Sequence, residues 1–290
     1  MKKITLLLIV CLTFFKGYNQ NPIAYSIFRN DGSEVTFNEM ANELALADVT
    51  LFGELHDNPI AHWLQHEICI WLNNNGNSLT LGAEMFETDN QLILNEYIDG
   101  LISQSRFEAE ARLWPNYKTD YKPLVEFAKV NNIRFIATNI PRRYASMVAT
   151  GGFEALDSLT ELAIQYIAPL PIEYNPELPG YRAMLSMMGM PGKANSNAEN
   201  FPKAQAIKDA TMAWNISKSL SNGSHFIHFH GTYHSNNYEG IVWYLKRYSP
   251  KATYKTIATV LQNRANALNE EYKGIADFII VVPERMTRTY

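Results

Sequence analysis

The sequence predicts an α/β fold: a mostly parallel sheet flanked by helices on both faces, with a smaller helical or loop insertion acting as a lid. Three observations predict it. Apolar, β-branched runs alternate along the chain with segments of helical period, the pattern of successive βα units. Val49–Phe52 is apolar or β-branched without polar alternation, as in a strand buried on both faces. Polar and ionisable residues gather just past such runs, at the edge where open parallel sheets bind ligands.

The elements follow in order. Lys2 and Lys3 precede the apolar run Ile4–Phe15, the form of a secretory signal peptide and too short to span a bilayer. Cleavage is expected within Gly17–Asn21, giving a signal peptide over residues 1–20 and a single α/β domain over 21–290. Cys11 follows Leu8-Ile9-Val10, a poor lipobox because Val10 is unfavourable before an acylated cysteine. With cleavage near residue 20 only Cys69 remains, so the mature chain forms no internal disulfide.

Ile23–Phe28 and Glu34–Phe37, separated by Asn30-Asp31-Gly32, read as a hairpin. Asn38–Ala45 reads as a short helix. Strand Val49–Phe52 ends at Gly53, and Glu54, His56 and Asp57 crowd the following turn. Asn58 and Pro59 then start a helix, one as cap and the other at its first position. The next elements are a strand over Leu79–Phe86, a helix from Asp89 to Leu101, and helices over Arg106–Leu113 and Tyr121–Asn131. Ile133–Thr138 is a strand ending in the turn Asn139–Arg143, and Phe153–Tyr166 is helical with a break. Residues 169–202 are rich in Pro and Met and read as the lid-like insertion. Lys203–Leu220 is a strong helix, His225–His230 a strand, Gly240–Tyr248 a helix, and Tyr254–Leu261 and Asp277–Val282 the last strands.

Composition narrows the function. At 290 residues, 47% of them hydrophobic, the chain can bury a sizeable core. The formal net charge of −4 becomes −7 without Lys2, Lys3 and Lys16, which argues against nucleic-acid binding through a basic field.

The seven histidines fall in two places: His56, His62 and His66, then His225, His228, His230 and His234. Each group holds a Gly-x-x-His directly after a strand, Gly53 to His56 and Gly231 to His234. If those strands are neighbours, both loops open on one edge. Glu84 ends a third strand and Arg142 follows a fourth. The expected constellation is Glu54, His56, Glu84, Arg142, His230 and His234, with Lys208 and Asp209 on the preceding helix. His62 and His66 share their helix with Trp63, Leu64, Ile68 and Trp71, so packing or capping is their default role. One of His228 and His230 is a core residue by default, and Lys208 and Asp209 suit a solvated helix face equally well.

Three chemistries suit this set. His56, Glu84 and His234 are ligands for zinc or manganese, whose bound water is a nucleophile near neutral pH. Without metal, Glu54, His56, Glu84 and His234 are acid–base groups and Arg142 an oxyanion stabiliser. The third is haem, ligated by His, Tyr or Met and packed by aromatic and Met side chains. Among Met184, Met187, Met188 and Met190 core filling is the default; Met188, Tyr174 and Tyr181 are the segment's candidate ligand contacts.

Gly53-Glu54-x-His56-Asp57-Asn58 with His62, Glu84-Met85-Phe86, Asn139-Ile140-Pro141-Arg142, Ala204-Gln205-x-x-Lys208-Asp209-x-x-Met212-Ala213 and Gly231-x-x-His234 resemble the ChaN-like haem-binding uptake proteins. The resemblance runs from Thr50 to the C-terminus. It implies a secreted or lipid-anchored bacterial protein of the periplasm or envelope, linked to iron acquisition. It also implies haem as ligand held by Tyr and His in a homodimer, and an outer-membrane haem receptor as partner. The Gly-x-x-His pairs, Glu and Arg are also similar to those of the wider superfamily of erythromycin esterases and TraB/Tiki proteins, which implies hydrolysis.

Overall fold

A hairpin opens the described chain: β1 (Ser26–Arg29) and β2 (Glu34–Val35) pair antiparallel. Gly32 takes φ +91° in their turn, a conformation that favours glycine. The computed structural model describes residues 22–187, 198–220 and 223–290. The signal-peptide segment and Met188 lie outside the described residues.

Thr36 caps α1 (Phe37–Leu44) in a reciprocal box with Glu39, each satisfying an otherwise orphan N–H of the first turn. β3 (Val49–Glu54) is buried throughout. The Asn58 side-chain oxygen accepts from the Ile60 and Ala61 N–H groups and Pro59 opens α2 (Pro59–Asn74), as expected. β4 (Ser78–Glu87), α3 (Gln91–Ile98) and α4 (Gln104–Glu110) follow. A π-helical turn, Tyr117–Tyr121, leads into α5 (Lys122–Val130), and then come β5 (Arg134–Asn139) and α6 (Arg142–Gly151). The sequence reading placed only a turn where α6 begins. The helix starts without a side-chain cap hydrogen bond and has a sharp amphipathic pattern, burying Tyr144, Ala145 and Val148. Phe153–Tyr166 breaks into a 3₁₀ turn, Phe153–Ser158, and α7 (Glu161–Ile164). The insertion holds a further unexpected helix, α8 (Pro179–Met187), before α9 (Asn200–Ser219). β6 (Ser224–Gly231), α10 (Ile241–Tyr248), β7 (Tyr254–Gln262) and β8 (Phe278–Pro283) complete the chain.

Among the described residues the sheet has eight strands in the order β2-β1-β8-β7-β3-β6-β4-β5. β8, β7, β3, β6, β4 and β5 run parallel, and the β1–β2 hairpin adds antiparallel to β8. One face packs Phe52, Leu81 and Phe229 beneath Leu64 and Ile68 of α2 and Val125 of α5. The other packs Leu51 and Phe226 beneath α6, α9 and α10 through Val148, Ile207, Met212 and Leu245. Both faces of the central strands are therefore buried, which suits the apolar or β-branched run Val49–Phe52 of β3.

The chain leaves β3 for β4 on one side of it and later returns to β7 on the other. That reversal opens a crevice beyond the carboxyl ends of β3 and β6. The two strands are direct neighbours, with Gly53 opposite His230 and Glu54 opposite Gly231. Both Gly-x-x-His loops therefore open on one edge, as the sequence reading required.

Candidate functional site

The two loops approach each other so closely that each glycine serves the other loop. A Cβ on Gly231 would stand 2.8 Å from His56 Nε2 and 3.0 Å from its Cε1. A Cβ on Gly53 would stand 2.8 Å from both the Ile257 carbonyl oxygen and Thr232 Cα. The spacing of the motif is thus a packing requirement as well as a chemical one.

Glu54 is the buried anchor of the first loop. Its carboxylate meets His56 Nδ1 at 2.8 Å, accepts from the Tyr121 hydroxyl at 2.7 Å and from the Gln65 amide, and lies 3.5 Å from His62 Nδ1. Burial opposes its charge, but His56, His62 and Gln65 outweigh that and hold its pKa below the ordinary carboxylate value. Burial likewise opposes charge on His56, yet the Glu54 hydrogen bond and the Glu84 and Glu54 charges raise its pKa. The His56 side chain keeps 33% exposure and meets Trp114 edge-on at 4.9 Å between ring centres. It is an imidazole oriented by a carboxylate with part of its ring open to solvent.

The second loop carries a more enclosed system. His234 Nδ1 lies 2.5 Å from Asp209 Oδ1, and its Nε2 lies 3.2 Å from Glu84 Oε1. Glu84 Oε2 accepts the Gly231 N–H at 2.8 Å, and Asp209 Oδ2 accepts the Tyr181 hydroxyl at 2.9 Å. Despite burial, the two carboxylates push the His234 pKa up to about 10. Against its own burial, the His234 and His56 charges and the Gly231 N–H hold Glu84 far below the ordinary range. Burial raises the Asp209 pKa, an effect that the His234 charge, the His234 hydrogen bond and the Tyr181 hydroxyl oppose. Isolated charges at such depth would be costly; this arrangement persists because each is paired and hydrogen-bonded.

The other candidates divide. Arg142 and Lys208 line a cavity of about 440 Å³ with Glu84, Trp114, Ile140 and Phe201, and neither takes part in an ion pair among the described residues. His62 is buried under the first loop, with Nε2 3.1 Å from the His56 carbonyl oxygen. His230 is fully buried; its Nδ1 lies 3.0 Å from His228 Nδ1, and its Nε2 has no hydrogen-bond partner. Burial lowers the pKa of both, that of His230 to about 3. His228 Nε2 meets the Thr138 hydroxyl at 2.7 Å, a core role. His225 sits at the opposite end of β6 between Thr50 and the Ala47 carbonyl and belongs to the core.

Tyr181 is buried and spends its hydroxyl on Asp209, while the Tyr174 ring packs against Phe153 and Tyr181, and neither lines the cavity. His56, Glu84 and His234 do come together, but as hydrogen-bonded pairs with both His234 nitrogens engaged by carboxylates. Among the described residues no group of three or more His, Cys, Asp or Glu side chains is disposed to hold a metal ion.

Sequence reasoning missed Gln65, Trp114, Asn116, Asp120 and Tyr121. All but Gln65 come from the segment around the π-helical turn. Such turns recur at functional sites because the widened turn re-aims side chains.

A family model described as haem-binding uptake, Tiki superfamily, ChaN matches residues 40–245. Among solved structures, ChaN of Campylobacter jejuni, described as showing cofacial haem binding, aligns with a TM-score of 0.64 at 15% identity, covering 89% of this chain and 96% of that one. A succinoglycan biosynthesis protein aligns with a TM-score of 0.50 at 13% identity, covering 85% and 90%. An erythromycin esterase reaches a TM-score of 0.47 at 12% identity, covering 82% and 77%. At these identities the likenesses speak to the fold. No curated protein matches the chain.

Proposed function

This chain belongs to the ChaN-type haem-binding uptake family of the Tiki superfamily, and from that membership we propose that it binds haem at the carboxyl edge of its sheet, as a secreted envelope protein serving iron uptake. The observation that carries this reading is the cavity bounded by Trp114, Ile140, Ala145, Ala149, Phe201 and Ala204, with Arg142 and Lys208 at its wall. Its volume of about 440 Å³ falls in the range of small-molecule sites, which combine a mostly apolar lining with a few polar groups.

The residues suit haem in two respects. An apolar wall matches the porphyrin face, and two cations without ion-pair partners match the paired propionates, Arg142 with a fork for bidentate binding and Lys208 as a point charge. His56 lies against the cavity wall through Trp114 and is the site imidazole with part of its ring exposed. When bound, haem supplies an iron chelate whose absorbance reports its axial ligands. Haem added to the purified protein is expected to give a saturable, shifted Soret band. Weak, non-saturating absorbance changes overturn the reading. A homodimer and an outer-membrane receptor are part of the proposal and are tested separately by sedimentation and pull-down; the poor lipobox at Cys11 argues against a lipid anchor, which the mass of the mature protein checks.

A second reading rests on one observation, the Glu54–His56 pair. A carboxylate on Nδ1 fixes the tautomer and leaves Nε2 as a base, the arrangement used in acid–base hydrolysis. Glu84 and His234 would then set the charge of the cleft and Arg142 would steady an oxyanion. Ester turnover abolished by His56→Ala supports it; no turnover of a broad ester panel removes it.

A further inference from the structure

The residues after β8 return to the loop that carries His56. The Thr289 N–H donates to the Asp57 carbonyl at 3.0 Å, and the Thr289 hydroxyl donates to Asp120 Oδ2 at 2.8 Å. The Arg288 guanidinium reaches Asp57 Oδ2 at 2.8 Å. These contacts join a network beneath the site. The same Asp120 oxygen accepts from the Asn116 amide at 2.7 Å and stands 3.6 Å from His62 Nε2. The Asn116 amide also donates to the His56 carbonyl at 2.9 Å, and His62 Nε2 meets that carbonyl at 3.1 Å. Two donors thus hold the His56 backbone, one buried carboxylate oxygen orients both, and Thr289 sits on that oxygen.

We propose that Arg288 and Thr289 form a clasp that positions His56, with Thr289 acting through Asp120 and Arg288 through Asp57. Neither touches the ligand cavity; both are positioning residues. Groups that orient a functional side chain through its neighbours set its geometry to fractions of an ångström, and their loss is felt at the site more than in the fold. The clasp rests on the functional reading only in taking His56 as a site residue, and its own test needs no ligand.

The test is histidine-labelled NMR of the full chain, with the His56 signals assigned by their loss in His56→Gln. Groups facing His56 are Glu54 on β3, Glu84 on β4 and His234 after β6. Thr289→Val keeps the shape and removes the hydroxyl donor, Thr289→Ser restores it, and Arg288→Gln changes a side chain that is 60% exposed, with little demand on folding. In Thr289→Val, the His56 ring signals are expected to shift and its titration midpoint to fall toward 6.5 as the Glu54 contact loosens. Thr289→Ser is expected to return both, and Arg288→Gln to give a smaller shift of the same sign. His56 signals that superimpose on the wild type in both Thr289→Val and Arg288→Gln overturn the clasp, as does a Thr289→Val shift that Thr289→Ser fails to reverse. A haem titration of Thr289→Val separates the two claims. A moved His56 with unchanged haem affinity supports the clasp and counts against His56 as part of the haem site.

Discussion

Removing His234 strips the positive charge from between two buried carboxylates. The His234 pKa stands at about 10 against an ordinary 6.5, and both ring nitrogens face carboxylates. Breaking one member of a buried pair typically costs about 3–5 kcal/mol, and the pKa gap at about 1.36 kcal/mol per unit sets a similar ceiling of roughly 5 kcal/mol. His234→Ala is therefore expected to lose roughly 3–5 kcal/mol near pH 6, or about 6–20 °C in Tm at about 2–4 °C per kcal/mol. Truncation also leaves a cavity, but that cost does not change with pH. The charge contribution does. The folded pKa of His234 lies above its unfolded value, so its stabilisation is complete below about pH 6.5 and is lost as pH rises through about 10. The folded pKa of Glu84 lies below its ordinary 4.5, so its share is complete above that pH and lost on acidification. The stability gap between wild type and variant should peak between about pH 5 and 6.5 and narrow on both sides. Urea unfolding at pH 4, 6 and 10 measures it. A gap below about 1 kcal/mol at pH 6, small beside the expected cost of a broken buried pair, or one equal at pH 6 and pH 10, refutes the reasoning.

Gly231→Ala places a methyl 2.8 Å from His56 Nε2; because His56 is partly exposed, its ring should swing aside. The cost is expected near the lower end of the roughly 1–3 kcal/mol of overpacking, with the His56–Glu54 hydrogen bond lost in the NMR spectrum. Gly53→Ala meets backbone instead and should cost more, read by the same unfolding curves. Arg142→Ala and Lys208→Ala are each expected to weaken haem binding by about tenfold, roughly the 1.5 kcal/mol of one charged hydrogen bond, with a weaker salt dependence than wild type. Cys69 is fully buried, and burial pushes its thiol pKa well up, so thiol reagents should label it only after unfolding.

Much of this was legible because the chemistry sits on the strongest local patterns. The run Val49–Phe52 and the Asn58-Pro59 helix start fix where Glu54 and His56 fall, and strand adjacency brings His234 to the same edge. Helix α6 was not legible, since its start carries no side-chain cap and reads as the turn after β5. Tyr121, Asn116 and Asp120 were not legible for another reason: the Tyr121 hydroxyl meets Glu54 across 67 residues of sequence, and no local spacing encodes that contact. The roles of His225 and Tyr181 depended on direction. One faces the amino end of its strand, and the other spends its hydroxyl on Asp209 rather than facing the cavity.

The central claim is that the cavity beside Glu84 binds haem through Arg142 and Lys208. Its most direct test is a haem titration of the wild type beside the Arg142→Ala, Lys208→Ala double variant, followed by Soret absorbance at fixed salt. The account predicts saturable, near-stoichiometric binding to the wild type and a loss of about a hundredfold in the double variant, two charged contacts at about 1.5 kcal/mol each. Equal affinity of the two proteins, or no saturable binding to either, contradicts it.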